Sequence, residues 1–309
     1  MDLRHLRYFV TLAEELHFSR AARRLNISQP PLSQQIKELE LELGVKLLER
    51  TRRSVALTNS GRVFLAKARR LLADTAELIE VTRQAERGEV GRVAVGFIHS
   101  AGYGLLPPIV RAFRAACPGV QMSLQEIAAT EQTSLLERGA IDIAIARPGS
   151  LGAFARTEFL LSENLVLAMP ANHRLRGTGR PDLRIFENET FISFPRSRAP
   201  ALYENIMRLC TGAGFVPRIG QETDTVHTAL GLVGAGVGVA VLPASAMEIG
   251  TRSVVFRMPL QTEPAAVTII GWGATDTSPV VARFVSIARE VAAQYHREQR
   301  DALARLERA

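Results

Sequence analysis

Residues 29–37 place amide, hydroxyl and ammonium groups at helical spacing, a combination that can read the edges of DNA bases. Gln29 and Gln34 carry the amides, Ser33 a hydroxyl and Lys37 an ammonium. Amides pair with adenine edges in the major groove, and hydroxyls pair with almost any base. These residues therefore predict the N-terminal end of a DNA recognition helix.

A group of arginines follows this segment and could contact the DNA backbone. Arg50, Arg52 and Arg53 surround the tip between two short β-prone runs, 45–48 and 54–57. On such a basic hairpin, or wing, guanidinium groups would lie along phosphates or enter the minor groove. An ordinary surface helix pair with a solvated arginine cluster is the alternative. The residues predicted to contact DNA are Ser19, Arg20, Ser28, Gln29, Pro30, Pro31, Ser33, Gln34, Lys37, Arg50, Arg52 and Arg53.

Two helices must position these groups. A first helix is predicted over 19–25, followed by a turn at 26–27. Ser28 is a suitable N-cap whose hydroxyl would accept from a free backbone N–H, and prolines are tolerated in the first turn that follows. Gly44 would end the second helix as a left-handed cap. Apolar residues at helical spacing would hold that helix to its domain, and they are Leu32, Ile36, Leu39 and Leu43.

A second group of residues suits a small carboxylate. From Arg92 onward, β-branched apolar runs alternate with helices of 8 to 12 residues, which predicts a parallel sheet covered on both faces. Ligands of such sheets bind outside the carboxyl ends of the strands, where helix N-termini offer free N–H groups. The predicted ligand contacts at those ends are His99, Ser100, Ala101, Ala129, Thr130, Arg147, Phe194, Pro195, Arg196 and Leu202. Alternatively, Ser100 only caps a helix and Arg147 forms an internal ion pair.

A long helix is predicted between these two parts, from about residue 60 to residue 87. Apolar and small residues alternate by four and three along it, a spacing typical of a helix that pairs with another helix. Pairing with a second copy is predicted through Phe64, Ala68, Leu71, Thr75, Leu78 and Thr82. Packing on its own domain is the alternative.

Composition excludes several classes of protein. The chain has 309 residues, a net charge of +7 and no apolar run long enough to span a bilayer, and its N-terminus lacks the apolar core of a signal peptide. We therefore expect a cytoplasmic protein. Cys117 and Cys210 show no disulfide or metal pattern, and the six histidines show no zinc spacing. No cofactor or metal is expected, and no GxSxG motif or Ser/His/Asp arrangement indicates an enzyme.

The first 60 residues, with FSRAARRLNISQPPLSQQIKELELELGVKLLERTRR, resemble the winged helix-turn-helix of LysR-type transcriptional regulators. The resemblance implies a dimerisation linker and an α/β effector domain of two lobes like periplasmic binding proteins, as well as operator DNA, a homodimer or homotetramer, and RNA polymerase as partners. GFIHSAGYGLLP and DIAIARP are similar to segments of regulators of aromatic-compound catabolism, in which Ser100 and Arg147 match effector-contacting positions.

The predicted organisation has three parts. Residues 1–58 form the α-helical winged helix-turn-helix domain, 59–90 the linker helix and 91–309 the effector domain, with lobe one at about 92–161 and 268–309 and lobe two at about 162–267. The leading hypothesis is an activator or repressor of transcription that responds to a small organic acid. A regulator that needs no ligand, and a small-acid binding protein or enzyme, are the alternatives.

Overall fold

The computed structural model describes residues 1–51, 54–177, 179–262 and 265–306, with side chains described as far as residue 304. The chain forms two compact units, Met1–Arg83 and Gln84–Ala309. The elements of the first unit are α1 (Leu3–Glu15), α2 (Phe18–Arg24), α3 (Gln29–Leu43), β1 (Leu48–Arg50), β2 (Val55–Leu57) and α4 (Asn59–Glu86), which continues three residues into the second.

The first unit buries a small core between its helices. The predicted face of α3 supplies Leu32, Ile36 and Leu39, which pack against Phe9 of α1 and Ala21 of α2. The predicted α2–α3 pair is therefore present, and Gly44 ends α3 with a φ of +68°. Ser28 occupies the N-cap position of α3, but its side chain makes no capping hydrogen bond. The predicted capping hydrogen bond is thus wrong.

The wing differs from its predicted position at its first strand. The predicted run 45–48 is extended only from Leu48, because a buried carboxylate on α3 accepts hydrogen bonds from the N–H groups of Leu47 and Leu48. The pair β1–β2 is antiparallel and spans three residues on each strand. Thr58 caps α4 by accepting from the N–H of Gly61, 2.9 Å away.

The second unit contains two five-stranded sheets. Its strands are β3 (Val90–Phe97), β4 (Gly119–Glu126), β5 (Ile143–Ala146), β6 (Ala155–Glu163), β7 (Leu165–Pro170), β8 (Thr190–Ser193), β9 (Arg218–Glu222), β10 (Val239–Pro243), β11 (Val254–Arg257) and β12 (Ala266–Gly273). Its helices are α5 (Leu106–Ala116), α6 (Gln132–Glu137), α7 (Pro200–Gly212), α8 (Val226–Gly234) and α9 (Pro279–Leu306), with three short 3₁₀ turns. The strand orders are β4-β3-β5-β12-β6 and β11-β7-β10-β8-β9.

Both sheets are mixed, so the prediction of a parallel sheet is wrong in part. β3 pairs in parallel with β4 and β5, as predicted, but β12 runs antiparallel to β5 and β6. The reversal arises because β6 leaves the first sheet towards the second and β12 returns along it. The first sheet thus holds strands up to Glu163 and again from Ala266.

The end of α9 departs from the predicted division into lobes. Leu303 packs with Val166, Ala244 and Met258, which belong to the second lobe. The C-terminal helix therefore contributes to the cores of both lobes rather than to lobe one alone.

Gly61 allows α4 to begin close to the wing. A Cβ at this position would overlap the backbone carbonyl oxygen of Leu47 and lie 3.1 Å from Cδ2 of Leu57. The overlapping atom is backbone, so relief requires the helix or the wing to move. Gly61→Ala is therefore expected to destabilise the first unit by about 1–3 kcal/mol, as overpacking does.

Thermal unfolding of the full-length protein measures this effect. Gly212→Ala is the matched control, because a Cβ there meets nothing within 4 Å and the residue ends a helix. We expect a lower unfolding temperature for Gly61→Ala and little change for the control. Equal unfolding temperatures for Gly61→Ala and the wild type would show that α4 does not depend on this close approach.

Candidate functional site

A cavity of about 380 Å³ lies in the second unit, at the carboxyl ends of strands from both sheets. From the first lobe it receives the segments after β3, β4 and β5, and from the second the segment after β8 and the start of α7. Its lining residues are Ile98, His99, Ser100, Glu126, Ile127, Ala128, Ala129, Arg147, Pro148, Gly149, Ser150, Phe194, Pro195, Arg198, Ala199, Pro200, Ala201, Leu202, Glu204, Asp224 and Val226.

Arg147 places a buried guanidinium at this cavity. The residue is 7% exposed and follows β5 directly. Its Nη1 donates to the carbonyl oxygen of Val267 at 2.9 Å and to Oγ1 of Thr268 at 3.1 Å, and its Nη2 donates to Oγ of Ser100 at 2.8 Å. These bonds use three of the five N–H groups of the guanidinium. Among the described residues Arg147 forms no ion pair with a carboxylate.

Burial makes the positive charge of Arg147 costly. Desolvation lowers the pKa of the guanidinium, and the negative charge of Glu163 offsets part of that effect. Glu163 is itself buried and accepts from the backbone N–H of Ser245 at 3.0 Å and from Nε2 of Gln299 at 3.2 Å. Because no carboxylate of the described residues contacts Arg147 directly, an anion in the cavity would supply a contacting counter-charge.

The polar residues on the walls lie in pairs. His99 Nδ1 lies 2.6 Å from Oε1 of Glu126 on the first lobe. On the second lobe, Nη1 of Arg198 lies 3.3 Å from Oδ2 of Asp224. Glu204 also lines the cavity, and its Oε1 lies 3.0 Å from Nη2 of Arg196, which does not. The walls therefore carry charges of both signs around Arg147.

The first turn of α7 brings backbone donors to the same cavity. Pro200 is at the first helical position, and no side chain caps this end of the helix. The N–H groups of Ala201 and Leu202 therefore have no partner within the helix. Such an end attracts anions, so both lobes offer donors to one ligand.

Seven of the ten predicted ligand contacts line the cavity, and these are His99, Ser100, Ala129, Arg147, Phe194, Pro195 and Leu202. Ala101 is buried in the core of the first lobe, while Thr130 and Arg196 are exposed and do not line the cavity. Ala101 ends a 3₁₀ turn, and Arg196 pairs with Glu204. Arg198 and Asp224 were missed, although both follow strands of lobe two.

The N-terminal end of α3 presents most of the predicted DNA contacts to solvent. Ser28, Gln29, Pro30, Pro31, Gln34 and Lys37 are exposed, and Ser33 is half-buried. The free hydroxyl of Ser28 adds a donor to this surface. Gln34 lies one helical turn before Glu38, and its Nε2 donates to that carboxylate at 2.9 Å.

The predicted arginine contacts differ in exposure and in their ion pairs within the chain. Ser19 and Arg20 are exposed, and Arg20 pairs with Glu15. Arg50 is paired within the chain, with its Nη2 at 3.1 Å from Oε2 of Glu40. Arg52 and Arg53 lie outside the described residues.

The predicted dimerisation residues of α4 fall into three groups. Ala68 is buried, and Phe64 packs edge-on against Phe9 with ring centroids 5.1 Å apart, so both cover the core of their own unit. Leu71 and Leu78 are exposed large apolar residues on the same helix. Thr75 and Thr82 donate their hydroxyls to the carbonyl oxygens one turn earlier. Among the predicted residues, Leu71 and Leu78 therefore offer apolar surface to a partner, and Val63 of the same helix is exposed as well.

Comparison with known proteins matches each unit to a family. Residues 3–62 match the bacterial regulatory helix-turn-helix protein, lysR family, and residues 86–293 match the LysR substrate binding domain. The chain belongs to the LysR family of transcriptional regulators. The resemblance and the fold class inferred from the sequence are thereby confirmed, and this LysR-type protein is a DNA-binding regulator of transcription.

Relatives and solved structures match nearly the whole chain. The HTH-type transcriptional regulator AlsR of Bacillus subtilis strain 168 is 40% identical over 288 residues, which are 93% of this chain and 95% of AlsR. The crystal structure of CbnR, a LysR family transcriptional regulator, superposes with a TM-score of 0.87 at 31% identity, covering 94% of this chain and all of CbnR. Full-length CbnR complexed with its target DNA gives a TM-score of 0.82 at 30% identity, with coverage of 94% and 100%.

Two further searches of the described residues bear on the site. They contain no group of three or more His, Cys, Asp or Glu side chains arranged to hold a metal ion. None of the helices within the described ranges is both long and apolar enough to cross a membrane.

Burial makes the cysteines of this LysR-type regulator poor nucleophiles. Both Cys117 and Cys210 are buried and free, and burial raises the pKa of the Cys210 thiol to about 12. The thiol therefore stays protonated at pH 8, and only a thiolate attacks readily. Iodoacetamide at pH 8 is expected to label Cys210 slowly in the folded protein and rapidly in urea, as followed by mass spectrometry. Fast labelling without urea would contradict this expectation.

Proposed function

We propose that this LysR-type regulator binds a small organic anion beside Arg147, and that the bound anion changes how the protein engages operator DNA. The observation that carries the proposal is a buried guanidinium, without a carboxylate partner among the described residues, at a cavity of about 380 Å³. A cavity of that size suits a small ligand. The protein would regulate transcription without catalysing a reaction.

The donors around Arg147 suit one carboxylate. Two of its N–H groups remain after its three hydrogen bonds, and the hydroxyl of Ser100 can donate while its oxygen accepts from Arg147. Across the cavity, the backbone N–H groups of Ala201 and Leu202 offer a second set of donors. Phe194 and Val226 line the cavity with apolar surface for the body of the ligand. Contacts from both lobes would favour a closed arrangement.

The DNA contacts are proposed at the exposed N-terminal end of α3, where Gln29 and Gln34 would pair with bases and Lys37 with a phosphate. A homodimer or homotetramer, paired in part through Leu71 and Leu78 of α4, would place two such helices on a roughly palindromic operator. RNA polymerase is the expected further partner, and the cytoplasm the expected location.

Gln34→Ala tests the proposed base contact. The assay is binding of full-length protein to the DNA immediately upstream of its gene and to a random-sequence duplex of equal length. We expect the upstream duplex to lose about 1–3 kcal/mol of binding free energy and the random duplex to change little, because one base contact carries sequence preference.

Two companion variants complete this comparison. Lys37→Ala should weaken binding to both duplexes. It should also lower by about one the slope of log affinity against log salt concentration, as the loss of a phosphate contact does. Gln221→Ala, an exposed glutamine of the second unit, serves as the control. If the wild type shows no preference for the upstream DNA, or if Gln34→Ala weakens binding to both duplexes equally, Gln34 does not read a base.

Arg147→Met tests the anion site. Acetate, benzoate and cis,cis-muconate are the probes, with acetamide and benzamide as uncharged counterparts of the first two. At least one carboxylate should raise the unfolding temperature of the second unit, because ligand that binds only the folded state stabilises it. The amides should not, and Arg147→Met should abolish the shift.

The control variant removes a cation that lies outside the cavity. Arg196→Met removes an exposed arginine that is paired with Glu204 and does not line the cavity, so its response to carboxylates should equal that of the wild type. Stabilisation that persists in Arg147→Met would place the anion elsewhere. A wild type that responds to none of the carboxylates would favour regulation without such a ligand.

A further inference from the structure

Glu40 of α3 is a buried carboxylate that contacts the start of the wing. The residue is 4% exposed. Its Oε1 accepts from the backbone N–H of Leu47 at 3.0 Å and of Leu48 at 3.1 Å. Its Oε2 lies 3.1 Å from Nη2 of Arg50 and 3.4 Å from Nζ of Lys46. One side chain of the recognition helix thus binds both the backbone and the cations of residues 46–50, the start of the wing.

Arg50 is held from two sides. Besides its ion pair with Glu40, its guanidinium carbon lies 5.0 Å from the centroid of the Phe18 ring, a cation–π contact with the first residue of α2. Its side chain is only 27% exposed. Arg50 therefore connects α2, α3 and β1, although its place beside the basic tip predicted a contact with phosphate.

The wing needs an external support of this kind. Its ladder has three residue pairs, and an isolated two-stranded ribbon is marginally stable in water. On the other side, the backbone N–H and hydroxyl of Thr58 donate to the carbonyl oxygens of Leu47 and Lys46, at 3.0 and 2.7 Å. Glu40 supplies the contacts to the recognition helix itself. A buried carboxylate that loses its partners is strongly destabilising, which resists displacement of β1.

We propose that Glu40 is a positioning residue for DNA binding, which fixes the wing on the recognition helix and retains Arg50 as its counter-charge rather than as a phosphate contact. The inference rests on the proposed role of the winged helix-turn-helix in contacting DNA. It assigns DNA affinity to an acidic residue, which would ordinarily oppose binding to a polyanion.

The sign of one substitution separates the two roles of Arg50. If Arg50 contacts phosphate and Glu40 competes for it, Glu40→Gln frees the guanidinium and tightens DNA binding. If Glu40 positions the wing, Glu40→Gln places the amide Nε2 group against Arg50 and Lys46. The wing then shifts, and DNA binding weakens. Glu42→Gln is the matched control, since it removes a negative charge from the same helix at an exposed residue that pairs only with the N-terminal amine among its described contacts.

Full-length protein, the upstream duplex and a random duplex serve for the measurement. We expect Glu40→Gln and Arg50→Met each to weaken binding to the upstream DNA about tenfold, and the double variant to be no weaker than the poorer single one, because both remove one ion pair. Glu42→Gln should bind as tightly as the wild type or more tightly.

Hydroxyl-radical footprints distinguish a displaced wing from a misfolded domain. A displaced wing should lose protection only at the edges of the footprint, whereas an unfolded domain loses all of it. Should Glu40→Gln fail to fold, Glu40→Asp keeps the charge but is too short to reach both the backbone and Arg50, and the same edge protection should disappear.

Three results would overturn the inference: unchanged or tighter binding by Glu40→Gln, additive losses in the double variant, or an intact footprint in Glu40→Asp. Failure of the wild type to bind the upstream duplex would instead count against the proposed DNA contacts.

Discussion

The charge of Arg147 is the constraint around which the second unit is arranged. A guanidinium removed from water needs hydrogen bonds, and this one finds them on Val267 and Thr268 at the start of β12 and on Ser100 after β3. These bonds join the ends of three strands at one point, on the sheet whose antiparallel members lead to and from the other lobe. The cavity lies where this junction faces α7. A ligand that binds Arg147 would therefore act directly on the connection between the lobes.

The first unit contains the complementary case. Glu40 is as deeply buried as Arg147, but its carboxylate has two backbone N–H groups and two cations around it. The charge of Glu40 is thus balanced by partners within the described chain, which suits a domain that must keep one conformation. Arg147 has hydrogen-bond acceptors but no contacting carboxylate among the residues that the structure describes, which leaves it able to respond to an anion. The same cost of burying charge supports a fixed domain in one unit and a responsive cavity in the other.

Local patterns predicted most elements of this chain, because they depend on neighbours in sequence. The prolines and the apolar face predicted α3, and the β-branched apolar runs after Arg92 are typical of strands such as β3, β7 and β10. The strand β6 was not predicted, since its first half is exposed and carries Arg156 and Glu158, so no apolar run signals it. The start of β1 was displaced by a side chain eight residues earlier, and the role of Arg50 depends on Phe18, far away in sequence. Contacts of that kind leave no periodic signal.

At the candidate site the same limit applies. Strand ends located Ser100 and Arg147, because topology alone brings them to one edge of a sheet. That Arg198 lines the cavity and Arg196 does not is a matter of the turn between Pro195 and Arg198, which residue spacing alone does not predict. The close approach of α4 to the wing, which Gly61 permits, also has consequences far from Gly61 itself. With 28 residues, α4 extends about 42 Å, and its first turn has no slack against the wing. In an assembly of copies, the spacing of operator half-sites would then be set by the direction of rigid helices rather than by the reach of a flexible tether.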